Sequence, residues 1–123
     1  MAYLFPFKGH RYDKRVVGDL NLVVTQPYDK IPTELQQEYY RRSPFNVVRI
    51  TRNSEKNNDP NTEYPDARST FERWLQEAVL VRDPLPAIYA YYQEYTIERE
   101  VKLLRGFIAL LDLKHSEGGI LPH

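Results

Sequence analysis

The chain has 123 residues, enough for one hydrophobic core but not for two independent ones, so we expect a single domain over residues 1–123. Lysine plus arginine and aspartate plus glutamate both total 17, so no global field favours nucleic acid or an anionic membrane as a partner. Cysteine is absent, which excludes disulfide scaffolds, thiolate zinc sites and cysteine nucleophiles and is typical of a reducing compartment.

The first residues are apolar but too few to act as a targeting segment. Residues 1–7 are followed at once by Lys8 and Arg11, so they match neither a signal peptide nor a membrane span. We therefore expect a soluble, cytoplasmic protein that binds no membrane. Within this stretch, residues 2–7 predict an edge strand, because Pro6 lacks the amide hydrogen that a central strand donates.

A second strand and a first helix are predicted next. Residues 20–25 are rich in β-branched side chains and lead into a turn at Pro27, which predicts a strand. Residues 32–42 predict a helix, because proline suits its start and two arginines at its end complement the helix dipole. Leu35 and Tyr39 are four residues apart, so they share its buried face.

The middle of the chain predicts a strand, a loop and a second helix. Residues 46–51 are a short apolar run that predicts a strand, and the polar residues 52–63 predict a surface loop. Residues 65–78 predict a helix with one buried face. Its apolar residues recur at helical spacing at Ala67, Phe71, Trp74, Leu75 and Ala78.

Two β-like runs near the end predict a hairpin. They cover residues 87–96 and 103–113, and the charged residues 97–102 separate them. Strand alternation places three tyrosines on one face, and we expect that face to pack on a helix. These tyrosines are Tyr89, Tyr91 and Tyr95. The second run is apolar on both faces, so we expect it to be a central strand.

The order of strand, helix, strand, helix and hairpin predicts an α+β fold. We expect a mixed, largely antiparallel sheet with two packed helices and a C-terminal β-hairpin. The chain also contains 10 tyrosines, a residue that combines a large ring with a hydroxyl for water or a partner. This composition favours a partly wet core or an interface with another surface.

The first candidate site is a group of residues that suits an anion. Arg41, Ser43 and Arg49 flank a predicted helix end, and arginines offer paired donors to phosphate. An arginine in an apolar strand also needs a partner, which Asp29, Glu38 or a ligand would supply. The structural interpretation, in which these charges complement a helix end and a carboxylate, is the favoured one.

The second candidate site is the turn before the first helix. Tyr28 and Asp29 follow a predicted strand, where loops often present functional side chains. Asp29 would bind a cation or orient a base, although capping the following helix is the commoner role of such an aspartate.

Other histidine-containing segments carry weaker signals. The Gly9 to Tyr12 segment has the composition of an anion loop but no helix pattern after it, so we interpret it as structural. His115 and His123 lack the supporting ligands of a metal site. We predict no metal, and the sequence identifies no cofactor and no catalytic residue.

Phrases along the whole chain together carry a resemblance to one family. They are FPF at 5–7, GDL at 18–20, VTQPYDKI at 24–31, YY at 39–40, SPFN at 43–46, VRI at 48–50, WL at 74–75, GFIA at 106–109 and PH at 122–123. On these phrases the chain resembles domain of unknown function 1015, a family of uncharacterised bacterial and archaeal proteins.

The resemblance implies that the chain is the amino-terminal portion of a longer protein. Family members run to several hundred residues, and their later portion holds a histidine-rich motif similar to phosphate-binding signatures of ParB-like and sulfiredoxin-like proteins. We expect a non-catalytic scaffold or interaction module that packs against the remainder of its own chain or a second copy. The alternative is part of a nucleotide- or phosphate-binding phosphotransferase, to which Asp29, Arg41 and Arg49 contribute.

Overall fold

A computed structural model describes residues 2–52 and 66–114. The chain divides into two compact units, which are His10–Val81 and the terminal segments Met1–Gly9 with Arg82–His123. We name them the core unit and the terminal unit. Helices occur together with short antiparallel strand pairs, so the α+β class is confirmed, while the single domain stays a prediction. Across the described ranges, no helix combines the length and apolar content that crossing a bilayer requires.

The elements are short except for two helices and one hairpin. In chain order they are β1 (Leu4–Phe5), β2 (His10–Tyr12), α1 (Lys14–Val17), α2 (Thr33–Arg42), α3 (Val48–Thr51), α4 (Ala67–Gln76), β3 (Leu80–Arg82), β4 (Tyr89–Ile97), β5 (Glu100–Ile108) and β6 (Leu110–Leu111). Single 3-10 turns occur at Leu20–Leu22 and Tyr28–Lys30. The predicted loop 52–63 lies outside the described residues except for Arg52.

The core unit closes around Trp74, whose side chain is 0% exposed. Val17, Val23 and Val79 are buried with it, and the rings of Tyr12 and Phe45 lie 5.9 and 6.3 Å from the indole. A second buried cluster contains Ile31, Tyr39 and Val48, with Leu35 packed against it. Helices α2 and α4 therefore bury the faces on which Tyr39 and Trp74 lie, as their spacing predicts, although Leu75 of the predicted α4 face is 36% exposed.

Aspartates begin two of the helices. Asp13 accepts a hydrogen bond from the Arg15 backbone amide at α1, and Asp66 accepts one from the Ser69 amide at α4. Helix α2 begins at Pro32 without a side-chain hydrogen bond, so Asp29 does not cap it and that interpretation is wrong. Asp29 instead belongs to the 3-10 turn Tyr28–Lys30 that precedes the helix.

Two predicted strands are wrong, and capping explains both errors. Residues 20–25 contain the 3-10 turn Leu20–Leu22, which starts at Asp19 because this carboxylate accepts the Asn21 amide. Residues 46–51 form α3, and the Asn46 side chain accepts the amide of Val48 at 3.0 Å. Both runs contain short apolar helical turns, which hydrophobic periodicity cannot distinguish from short strands.

The terminal unit consists of paired strands. β1 pairs with β6 in antiparallel register, and Phe7 bridges to Ala87, so the predicted edge strand at residues 2–7 is confirmed. β4 pairs with β5 along its whole length, and a two-residue turn at Glu98 and Arg99 joins them, so the predicted hairpin is also confirmed. We name this pair, residues 89–108, the hairpin arm.

The predicted sheet is not one layer in the described residues. The strands form three separate two-stranded pairs, β1 with β6, β2 with β3, and β4 with β5. β5 is therefore not a central strand, because β4 is its one neighbour among the described strands. Phe107 and Ile108 of this strand are 62% and 53% exposed, unlike the side chains of a central strand.

Candidate functional site

Arg49, the strongest anion candidate of the sequence, contacts helix α2. Its Nη2 donates a hydrogen bond to the Tyr40 carbonyl at 2.9 Å, and its guanidinium lies 4.4 Å from the centre of the Tyr40 ring. A cation bound to a carbonyl near the end of a helix is favoured by the helix dipole. These contacts give Arg49 a structural role, because they fasten α3 to the last turn of α2.

The other two members of the predicted anion site differ from each other in burial. Ser43 is buried, and its Oγ accepts the Phe45 amide at 3.1 Å. Arg41 is exposed at the end of α2. Its neighbour Arg42 pairs with Glu38 at 2.8 Å, four residues earlier on the helix surface. Arg41 and Ser43 flank the end of α2 as predicted, and anion binding by this group stays a prediction.

The turn before α2 is anchored at both of its ends. The Gln26 amide donates to the Tyr39 hydroxyl at 3.4 Å, and Ile31 is buried at the other end of the turn. Between them, Tyr28 and Asp29 point outward, and Tyr28 is 64% exposed. This geometry presents both side chains on a surface loop, and a functional role for them stays a prediction.

The contacts of the Gly9 to Tyr12 segment are structural, as predicted, although helix α1 follows it where the sequence pattern indicated no helix. The Gly9 amide donates to the Tyr89 hydroxyl at 2.7 Å and so does not face an anion. The His10 ring lies edge-on to Phe71 at 5.8 Å, and Tyr12 donates to the Phe45 carbonyl at 2.7 Å. Within the described ranges, no three histidine or acidic side chains are grouped as metal ligands would be. His115 and His123 lie outside those ranges.

Asn46 is a buried polar residue whose role sequence reasoning missed. It is 0% exposed, and its Nδ2 donates to the Leu22 carbonyl at 2.8 Å while its Oδ1 accepts the Val48 amide. The Val47 amide also bonds to the Val23 carbonyl at 2.8 Å. The side chain therefore joins the 20–24 segment to the start of α3. Its signal in the sequence is an asparagine placed directly before an apolar run, a typical cap position.

Three perturbed pKa values belong to structural contacts. Burial raises the pKa of Tyr12 well above its usual range, so the hydroxyl stays protonated as a donor to Phe45. A side-chain hydrogen bond from Arg15 lowers the pKa of Asp13. The Ser69 backbone amide similarly lowers the pKa of Asp66. Each group therefore keeps the protonation state that its cap or core hydrogen bond needs.

The terminal unit has no buried side chain among its described residues. All eleven buried side chains that the structure describes belong to the core unit, and they include every member of both apolar clusters. Folding requires buried apolar surface to offset lost conformational entropy. A two-stranded hairpin without such burial is marginally stable in water. The terminal unit therefore contains a hairpin whose apolar side chains remain exposed.

The hairpin arm is apolar on both of its faces. The register places Tyr91 opposite Gly106 and Tyr92 opposite Arg105, which assigns alternate residues to opposite faces. On the first, which we name the tyrosine face, the exposed large apolar residues are Tyr91, Tyr95, Ile97, Leu104 and Ile108. On the second, the opposite face, they are Tyr92, Val101, Leu103 and Phe107. Monomeric proteins rarely expose contiguous apolar patches of this kind without a binding role.

Strand alternation predicted which tyrosines share a face, but it did not predict the apolar character of the opposite face. Tyr89, Tyr91 and Tyr95 share one face, as expected. Tyr91 and Tyr95 are 43% and 41% exposed, and packing of this face on a helix stays a prediction. The opposite face was missed because its apolar residues were interpreted as evidence of a central strand. Apolar residues on both sides of a strand indicate two covered faces whether the cover comes from this chain or another.

The base of the hairpin arm is firmly attached within the terminal unit. Tyr89 donates a hydrogen bond from its hydroxyl to Asp83 Oδ2 at 2.6 Å while accepting the Gly9 amide. The Asp83 amide bonds back to the Gly9 carbonyl at 2.8 Å, and the Phe7 ring lies 5.0 Å from the Tyr89 ring. These contacts fix one end of β4, so the arm extends from an ordered base.

The tip of the arm is strained. Glu98 and Arg99 both have positive φ values, 49° and 69°, which a two-residue hairpin turn of this hand requires. Asparagine and glycine are the residues that adopt these angles readily, and side chains such as glutamate and arginine do so at a cost. The arm is therefore held by its long strand register rather than by a favourable turn.

Comparison with known proteins identifies a family without identifying an activity. A family model described as a protein of unknown function, DUF1015, matches residues 4–123. The curated proteins and the solved structures contain no match to the chain. The resemblance drawn from the sequence phrases is thus confirmed over nearly the whole chain. We conclude that the chain belongs to the DUF1015 family of proteins of unknown function.

Proposed function

We propose that this chain is a non-catalytic scaffold or interaction module, and that the hairpin arm is its docking surface. The observation that carries the proposal is the contrast between the two units: every buried side chain of the described residues lies in the core unit, while both faces of the arm are exposed. Burying one large apolar side chain contributes about 1.5–3 kcal/mol. A partner that covers several of them supplies the stabilisation that the arm lacks.

The geometry of the arm suits docking better than catalysis. Strands of 9 residues present a long, regular surface, and their aromatic residues are of the type that dominates binding energy at interfaces. Among its charged residues, Lys102 is paired with Glu100 at 2.9 Å. Such a surface binds a partner through apolar contact and main-chain pairing.

The nucleotide- or phosphate-binding alternative stays a prediction. Arg49 and Ser43 already make contacts within the core unit, and these contacts support a scaffold role. A cytoplasmic location and membership of a longer protein are likewise inferences. The first is supported by the lack of cysteine and the second by the family resemblance alone.

Site-specific photo-crosslinking in cells tests the docking role. A benzophenone amino acid replaces Tyr92 or Phe107, which are 67% and 62% exposed on the opposite face of the arm. Tyr28 is the matched control, because it is an aromatic residue of the core unit with 64% exposure. The proposal predicts a discrete crosslinked species from Tyr92 and Phe107 and none from Tyr28.

Mass spectrometry of the crosslinked species then identifies the partner, which is another copy of this chain or a different protein. Exchange of Leu103, a neighbour on the same face, for serine should reduce the yield. Equal and diffuse crosslinking from the arm and from Tyr28 would show that the arm is ordinary surface, and the docking role would be wrong.

A further inference from the structure

Among the described strands, β4 and β5 each have one neighbour, and their outer edges differ in a way that selects a partner. In its 9 residues β4 contains one charged side chain, Glu94, and neither lysine, arginine nor proline. β5 contains Glu100, Lys102 and Arg105. Proteins protect exposed strand edges with charged residues, lysine above all, and with proline. β5 therefore carries edge protection that β4 lacks, and β4 is the edge available for pairing.

We infer that β4 pairs edge to edge with β4 of a second copy of this chain, in antiparallel register about a two-fold axis at Gln93. The inference rests on the proposed docking role and names the partner. It joins two hairpin arms into a four-stranded antiparallel sheet with apolar faces, which meets the minimum of three strands that independent stability requires. A two-fold interface is also closed, so pairing stops at two copies.

The register follows from the strand itself. Gln93 is the midpoint of Tyr89–Ile97, so a two-fold axis at this residue pairs all 9 residues of β4 with those of its partner. It places Tyr91 opposite Tyr95 of the other copy on the tyrosine face, twice, and such aromatic pairs stabilise sheets. An axis moved by one residue to Glu94 would set two like charges opposite each other, which is unfavourable.

Charge elsewhere does not oppose this association. The formal net charge of the chain is +0, so two copies approach without overall repulsion, and proteins near zero net charge associate readily. Glu94 lies opposite Tyr92 of the other copy in the Gln93-centred register, which leaves its carboxylate at the sheet surface in water.

A cysteine scan of the full chain tests the register, because the chain contains no cysteine of its own. In Gln93→Cys the two Cα atoms face each other across the axis at about 4.5–5.5 Å, within the range of a disulfide. In Thr96→Cys, the matched control on the same strand, the two sulfur positions are about 20 Å apart along the sheet. Under mild oxidation we expect a disulfide-linked dimer from Gln93→Cys at about tenfold higher yield than from Thr96→Cys.

Sedimentation of the unmodified chain provides a second measurement that needs no substitution. We expect a reversible dimer, and Gln93→Lys should weaken it by setting two like charges on the axis, whereas Leu104→Lys adds the same charge to the β5 edge and should weaken it less. A monomer up to about 1 mM, where even a millimolar Kd would populate a dimer, overturns the inference. So does a preferred disulfide at Leu104→Cys, which would place the pairing on β5.

The two proposals fail separately. If crosslinks from Tyr92 and Phe107 reach only a different protein and the chain sediments as a monomer, the second copy is excluded while the docking role stands. If these positions give no discrete crosslink and the chain is a monomer, both are wrong.

Discussion

Asn46 uses both ends of its side-chain amide to hold two segments of the core unit together. The side chain is fully buried and bonds to the Leu22 carbonyl and the Val48 amide. Polar groups in such a position are costly when they lose their partners, since water cannot replace the hydrogen bonds. The buried amide of Asn46 therefore stabilises the fold through its hydrogen bonds, as buried polar groups do in stable domains.

Replacing Asn46 with alanine should destabilise the core unit by about 2–4 kcal/mol, because two buried backbone groups are left unpaired. Urea unfolding followed by Trp74 fluorescence measures the effect, and an unchanged m-value shows that the unfolded state is comparable. The control is Asn21→Ala, an exposed asparagine, which should stay within about 0.5 kcal/mol. Equal effects of the two substitutions would show that the Asn46 hydrogen bonds contribute little.

Gly9 and Gly106 of the terminal unit differ in the space available for a Cβ atom, so their alanine substitutions can be compared directly. A Cβ atom on Gly9 would lie 2.8 Å from the Tyr89 ring and hydroxyl, whereas on Gly106 its nearest neighbour, in the Tyr91 ring, is at 3.8 Å. Gly9→Ala should therefore displace Tyr89 and cost about 1–3 kcal/mol at the base of the arm, while Gly106→Ala should be neutral or slightly favourable. Tyrosine ring NMR shifts report the displacement, and an unperturbed Tyr89 in Gly9→Ala would contradict this packing.

At the scale of elements, the sequence predicts helices α2 and α4 and the hairpin, and it fails on α1 and on the short apolar runs. Helix α4 is predictable because apolar residues recur at helical spacing from Ala67 through Phe71 and Trp74 to Ala78. The hairpin is predictable because apolar and polar residues form two long β-like runs. The runs at 20–25 and 46–51 are too short for periodicity to decide, so Asp19 and Asn46 as caps determine the outcome. Arg49 was misplaced for the same reason, because its predicted strand is helix α3.

The candidate surface was predictable in part. Alternation correctly assigns Tyr91 and Tyr95 to one face of the arm. Whether a strand apolar on both faces is covered by its own chain cannot be decided from one sequence, because burial depends on which elements meet. The tip at Glu98 and Arg99 carries no typical turn signal, and only the register of the strands locates it.

Changing Glu98 and Arg99 to asparagine and glycine should stabilise the hairpin arm by about 1 kcal/mol, because these residues adopt positive φ with less strain. Chymotrypsin cleavage within β4 and β5 follows the opened fraction of the arm, so it should slow about fivefold. The control Glu98→Gln with Arg99→Lys keeps the strained backbone and should cleave like the unmodified chain. Faster cleavage of the asparagine–glycine variant would contradict the turn assignment.

For the whole molecule, stability is expected to be uneven. The core unit contains every buried side chain that the structure describes, and the terminal unit presents an ordered base and an uncovered arm. Local opening free energies vary across proteins, and regions with little buried apolar surface open most easily. Under the proposed docking role, the arm should gain its full order only when a partner covers it, so its stability depends on that role.

Hydrogen exchange of the backbone amides, measured across a range of chain concentrations, tests this dependence. In dilute solution we predict that the amides of β4 and β5 exchange at least about a hundredfold faster than those around Trp74, because the arm opens without unfolding the core unit. Protection of the arm should rise as concentration increases and the second copy binds. Amides in the arm that are as strongly protected as those around Trp74 at every concentration would contradict the account, since the arm would then be stable without a partner.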